Sequence, residues 1–361
     1  MELTGTNFHS IQVLRAVAAL LVVLFHAEGA YFRAGAAATI IDESYIFGFG
    51  AVGVHIFFVI SGFIMVVASR FEPRFDGRHF LKRRILRIYP IYLACVGVYV
   101  SVHWVLASPY DVTFPTFVGA IALWPGTSSA IIGPAWTLSY EIFFYGCFAA
   151  VMGFGLTRGL LLLTAMFMCL AGAGFLLQPS YPALHVITDS LLLEFVAGAA
   201  IGCLLKAGRL PLRAGALILA LSIVLFIAGG AYGYHRFPTI ISWGIPSVLL
   251  VAGVACLEVQ RGASSLVRVM GRFGDSSYVL YLIHILIITV SLPLAVAYGG
   301  FMQTGAVFAA ASVSVACLVV SEIVHRRVER PLLQFVKSPG VLVLSRRRQQ
   351  LTKQELNTGP N

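Results

Sequence analysis

The chain has 361 residues, of which 59% are hydrophobic and 11% charged, and its formal net charge at pH 7 is +10, with a mean hydropathy of +0.89. Soluble domains carry roughly 25% charged residues, so this composition marks an integral membrane protein and excludes a sizeable soluble domain, a DNA-binding module or a secreted disulfide scaffold. The basic residues lie in loops between apolar runs, which removes nucleic acid as the partner behind the net charge.

Hydrophobic runs set against turn and charge punctuation predict an all-α, polytopic fold of ten helices, near residues 11–30, 50–68, 85–107, 135–152, 159–177, 184–206, 212–231, 239–258, 275–296 and 303–325. The first run could pass for a secretory signal, with small residues from Ala34 to Ala38 behind it. Cleavage there would discard Arg15 and His26, so an uncleaved first helix is expected. Bases cluster in alternate loops, from Arg70 to Arg87, at Arg158, at Lys206 to Arg213, at Arg261 to Arg272 and after the tenth helix. All but Arg33 and Arg236 of the 25 Lys and Arg residues fall on one side, which predicts that both termini are cytoplasmic.

Between the third and fourth helices, the apolar stretch from Phe117 to Trp124 is too short to cross and is closed by Pro125 and Gly126. A re-entrant or interfacial piece on the outer side is expected there. Residues 1–337 then form one membrane domain, and residues 338–361 a basic and polar cytoplasmic tail, disordered and attracted to anionic lipid. The six cysteines stand singly inside apolar runs with no His at ligand spacing; they read as packing residues, and no metal site is expected.

Ionisable residues inside a bilayer are expensive and mark functional sites. Arg15 and His26 lie eleven residues apart on the first helix. Eleven steps of about 100° return to within about 20° of the starting direction and advance about 16 Å. One helix face thus carries Arg15 near the cytoplasm and His26 in the outer half. The second helix places His55 about one turn below the outer surface, and the fourth places Glu141 about two turns down, so His26, His55 and Glu141 are expected to share one polar pocket. A carboxylate beside a His raises its basicity and fixes its tautomer for general-base work. Asp189, Glu194 and His284 are weaker candidates that read as interhelical hydrogen-bonding groups. The run Lys82-Arg83-Arg84-Ile85-Leu86-Arg87 suits phosphate groups, which Arg grips bidentately. By itself it reads equally as a positive-inside signal touching lipid headgroups. His185 to Asp189 is one residue short of the HxxxxD box, Ser61 lacks the first Gly of GxSxG, and no Walker loop or GxGxxG is present.

These residues resemble a known family. Arg15 to His26 is similar to the R-x10-H motif that opens the family-three acyltransferases, integral-membrane enzymes that O-acylate bacterial glycans. Gly53-Val54-His55-Ile56-Phe57-Phe58-Val59-Ile60-Ser61-Gly62-Phe63 resembles their second-helix motif, Arg83-Arg84-Ile85-Leu86-Arg87-Ile88-Tyr89-Pro90 the start of their third helix, and Trp136-Thr137-Leu138-Ser139-Tyr140-Glu141 their W-[ST]-L-x-x-E element. Gly274 to His284 and Val328-Glu329-Arg330-Pro331 are similar to the closing motifs, so the match runs in order over about residues 8–335. His55 stands where many relatives carry Asp, a pattern associated with the exopolysaccharide O-acetyltransferase branch. No hydrolase-like domain follows Pro331, so the chain is expected to complete the transfer alone or with a separate partner.

The resemblance implies transfer of an acyl group, usually acetyl, from cytoplasmic acyl-coenzyme A to a hydroxyl of a polysaccharide or undecaprenyl-linked glycan, in a bacterial inner membrane. Arg83, Arg84 and Arg87 would hold the coenzyme A phosphates, and the pantetheine arm would follow the face marked by Arg15. His26 would act as general base or acyl carrier, Glu141 would orient it or the acceptor, and His55 and Trp136 would meet the substrate. The leading alternative is a transporter of a sugar or small anion, which predicts inverted repeats and broken midplane helices; the sequence displays neither. A structural subunit of a polysaccharide export complex would leave the shared face of Arg15 and His26 without a purpose.

Overall fold

The computed structural model describes residues 8–35, 46–69, 71, 75–106, 110–232, 237–298 and 305–337. Ten helices in it are long and apolar enough to cross a membrane. In chain order they are α1 (His9–Arg33), α2 (Gly48–Val67), α3 (Gly77–Val105), α4 (Gly133–Phe154), α5 (Leu156–Leu177), α6 (Pro182–Lys206), α7 (Leu212–Ala231), α8 (Ile240–Arg261), α9 (Ser277–Ala297) and α10 (Ala306–Val336). No strand occurs among the described residues. The protein is a multi-pass, all-α membrane protein. The expected tail from residue 338, and Arg70, Arg74 and Arg236 in the loops, lie outside the described residues.

Small residues decide which helices touch. A side chain at Gly62 on α2 would meet the Phe195 carbonyl oxygen at 1.8 Å, and one at Gly198 on α6 would meet the Val59 carbonyl oxygen at 1.9 Å. Close backbone approach through small residues drives helix association where lipid offers no hydrophobic gain. It stacks Phe58 on Phe195 with ring centroids 4.4 Å apart. Gly53 lets α2 approach α1 in the same way, because a Cβ there would lie 2.3 Å from the Ala18 carbonyl oxygen. As a result α2 is the most enclosed span, while α5 and α7 are the most exposed and present apolar residues such as Leu161, Leu176, Leu217 and Ile227 to the surroundings.

The start of α1 is capped from a distance. Glu258 on α8 accepts from the backbone N–H groups of His9 at 2.8 Å and Ser10 at 2.9 Å, and from the Ser10 hydroxyl. A carboxylate is the favoured occupant of a helix N-terminus, where backbone donors lack partners and the dipole is positive.

Boundaries differ from the hydrophobic pattern where polar residues continue a helix. The third helix starts at Gly77, eight residues early, because Asp76 caps it by accepting from the His79 N–H at 2.9 Å, and the basic run from Arg78 to Arg87 is itself helical. The tenth continues past the lipid-like stretch through a π-turn, His325–Glu329, into the short helix Arg330–Lys337. The span α6 is interrupted: a short helix, Pro182–Thr188, gives way at Asp189 to Leu192–Lys206. Asp189 supports the break by accepting from the Leu191 N–H at 2.9 Å and the Tyr140 hydroxyl at 2.7 Å. This corrects the expected continuous helix over 184–206; the break lies near one end of the span and not at its middle. Between α3 and α4 the expected non-crossing piece is a short helix, Phe114–Ile121, tied down by Tyr92 and Ser139 hydroxyls bonding the carbonyls of Ala120 and Leu123.

Candidate active site

Residues toward the start of α1, α3 and α9 and in the last part of α10, with α2 from Val54 onward, surround a cavity of about 550 Å³, within the usual range for small-molecule sites. Its wall carries Gln12 and Arg15 from α1, Arg84 and Arg87 from α3, and Glu141 and Tyr145 from α4. From the other side come Asp275 and Tyr278, and His325, Glu329 and Arg330 of α10. The helical repeat explains these sets: Gln12 and Arg15, Arg84 and Arg87, and Glu141 and Tyr145 are three or four residues apart and so share a face.

The charges in this cavity are not balanced pairwise. Arg330 lies 3.7 Å from Asp275. Glu141 accepts from the Ser61 hydroxyl at 3.3 Å and from the Tyr145 hydroxyl. Glu329 is 2.5 Å from His325 Nδ1, and Arg330 Nε donates to His325 Nε2 at 3.1 Å. No carboxylate lies within ion-pair distance of Arg15, Arg84 or Arg87 among the described residues; Arg15 bonds only the Gln12 amide oxygen, at 3.0 Å. Three guanidiniums without carboxylate partners, in one partly enclosed space, present the forked donors that suit an anion with several negative groups.

The far end of the cavity is walled by Phe57, Thr137 and Tyr281. The Tyr281 hydroxyl is fixed there, 2.9 Å from the Thr137 hydroxyl and 3.0 Å from the Pro134 carbonyl oxygen. One turn further along α9 is His284, its ring centroid 5.9 Å from that of Tyr281 and 5.1 Å from that of His26. The face shared by Arg15 and His26 therefore runs from the cavity to a histidine pair beyond its aromatic wall. Neither His26 nor His284 lines the cavity.

Several expectations are corrected. His26, His55 and Glu141 do not share a pocket, because they leave their helices toward different neighbours. His55 is buried on the opposite side of α2 from the cavity, its Nδ1 2.5 Å from Glu194 Oε1 and its ring 5.4 Å from that of Trp243. Glu141 is held by Ser61 and Tyr145 and faces the arginines, so it does not orient His26. Arg83 is exposed and absent from the cavity wall, since it is a quarter-turn from Arg84. Trp136 is also exposed, edge-on to Tyr140 at 5.6 Å, and does not reach the cavity. The sequence reading passed over Tyr145, Tyr278 and the His325–Glu329 pair. The four-residue spacing of His325 and Glu329 at the end of an apolar run was the signal available for that pair. Among the described residues no group of three or more His, Cys, Asp and Glu could hold a metal ion.

A family model described as an acyltransferase domain matches residues 8–325, nearly the whole bundle. The chain belongs to this acyltransferase family. It is 32% identical over 298 residues to the exopolysaccharide production protein ExoZ of Rhizobium meliloti strain 1021, a match that covers 80% of this chain and 91% of that one. It is 26% identical over 372 residues to the acyltransferase MdmB of Streptomyces mycarofaciens, which covers 91% and 92%. No solved structure matches. The protein is thus a membrane acyltransferase, and its matched region contains every cavity residue named above except Glu329 and Arg330.

Proposed function

We propose that this acyltransferase moves an acyl group, acetyl by preference, from cytoplasmic acyl-coenzyme A to a hydroxyl of a cell-surface or lipid-linked glycan, in a bacterial inner membrane with both termini cytoplasmic. The observation that carries the reading is the cavity with three guanidiniums and no carboxylate partner for any of them, at the end of the bundle where most bases lie. A coenzyme A donor presents several phosphate oxygens, and Arg84 and Arg87 at the start of α3 would hold them by forked, charge-assisted hydrogen bonds. Arg15, deeper on the face that leads to His26, would meet the next polar part of the donor. The similarity to a rhizobial exopolysaccharide production protein supports a polysaccharide acceptor.

His26 is half-buried, about 16 Å beyond Arg15 at 1.5 Å per residue. As general base its imidazole takes the proton of the sugar hydroxyl while that oxygen bonds the acyl carbon; the carbon–sulfur bond breaks and the proton passes to the departing thiolate. As acyl carrier the imidazole bonds the acyl carbon while the carbon–sulfur bond breaks and the thiolate leaves, giving a cationic acylated ring; the sugar oxygen then takes the acyl group, its proton passes to the thiolate, and the ring is left neutral as at the start. Glu141 acts on the donor side in both cases, as a carboxylate facing the arginines. The test is the acyl content of the surface glycan, by NMR, in a deletion strain complemented with the wild type or with His26→Gln. Restoration by the wild type alone is expected, and full acylation with His26→Gln would refute the assignment.

A further inference from the structure

His284 was set aside above as an interhelical hydrogen-bonding group, yet it is fully buried and touches the one imidazole on which the proposed chemistry depends. We propose that His284 is the positioning residue for His26, and that it makes Nε2 of His26 the reacting nitrogen. The inference rests on the assignment of His26 made above.

The argument is one of donors and acceptors. His284 Nδ1 lies 3.2 Å from the Leu280 carbonyl oxygen, and a carbonyl can only accept. The ring therefore carries its proton on Nδ1, and its Nε2 is a lone pair. That lone pair is 3.2 Å from Nδ1 of His26, which is also 2.9 Å from the Val22 carbonyl oxygen. Two acceptors on one nitrogen require a donor, so His26 carries its proton on Nδ1 and shares it between them. Nε2 of His26 is left without a proton, the nitrogen that accepts from a hydroxyl or bonds an acyl carbon. When that nitrogen gains a proton or an acyl group, the ring becomes a cation whose N–H still points at the His284 lone pair. A second residue that holds the far nitrogen of a reacting histidine fixes both its tautomer and its orientation. Here the holder is a neutral imidazole, where other enzymes use a carboxylate. The Leu280 bond ends the chain at a carbonyl, so His284 orients and does not relay the proton onward.

The experiment uses membrane vesicles from the deletion strain carrying each full-length variant, with radiolabelled acetyl-CoA as donor and the vesicles' own polysaccharide fraction as acceptor. His284→Gln places an amide oxygen near the position of Nε2 and is expected to retain kcat within about threefold. His284→Met fills similar space without a strong acceptor. It is expected to lower kcat about 10- to 100-fold, the size of one hydrogen bond to a charged group, with KM for acetyl-CoA unchanged. His284→Leu replaces it if Met reduces the amount of protein in the membrane. Wild-type kcat in the Met or Leu variant would overturn the proposal, as would equal losses in the Gln and Met variants or a change confined to KM. Full transfer by His26→Gln would instead overturn the assignment of His26 itself, which separates the two failures.

Discussion

Replacement of Arg84 and Arg87 by Ala tests the donor site most directly, because the structure supplies its own control next door. Both guanidiniums line the cavity without a carboxylate within ion-pair distance, whereas Arg83 is exposed and lines nothing. A hydrogen bond to a charged group contributes about 1.5–3 kcal/mol. Loss of one such bond at each position weakens donor binding by about 3–6 kcal/mol, a factor of about 10² to 10⁴ in Kd. Insertion is unaffected, because Arg78, Lys82 and Arg83 remain to hold the loop on its side of the membrane. The assay is titration of acetyl-CoA into the purified protein in nanodiscs, for wild type, the Arg84→Ala, Arg87→Ala double variant and Arg83→Ala. The double variant is expected to lose measurable binding, and Arg83→Ala to bind as the wild type does. If Arg83→Ala weakens binding as much as the double variant does, the cluster is a diffuse positive surface for lipid headgroups and the donor-site reasoning fails.

Removal of the carboxylate in Glu258→Ala strands two backbone donors of α1 and is expected to destabilise the protein by about 1.5–3 kcal/mol; an unchanged thermal midpoint in detergent would show that the cap is dispensable. A Val at Gly198 would drive a side chain into the Val59 carbonyl, so Gly198→Val is expected to abolish recovery of monodisperse protein, and normal gel filtration would count against the close α2–α6 crossing. Single cysteines at the exposed positions Ser129 and Ser265, in a background without native cysteines, are expected to react with an impermeant maleimide from outside and only after permeabilisation, respectively. The reverse pattern would invert the proposed topology.

The number and type of helices were legible in the sequence, because a bilayer core demands about 20 apolar residues per helix and internally satisfied backbone groups. Those constraints act on consecutive residues, and ten apolar runs yielded ten candidate spans. The shared face of Arg15 and His26 was legible for the same reason, since it depends only on the repeat of one helix. Which polar groups meet across helices was not. Within one helix the spacing fixes the face, but partners 139 residues apart, such as His55 and Glu194, or 258 apart, such as His26 and His284, depend on which backbones approach. That choice is made by glycines such as Gly62 and Gly198, whose missing side chains let α2 and α6 close and carry His55 away from the cavity. Arg83 and Arg84 are indistinguishable as a charge pattern; a rotation of about 100° puts one at the surface and the other in the cavity. The sequence by itself determined the medium, the spans and the residues able to do chemistry, because each is a local property of the chain. Tertiary structure alone decided which of them share a space, because packing of small residues between distant helices sets the crossings.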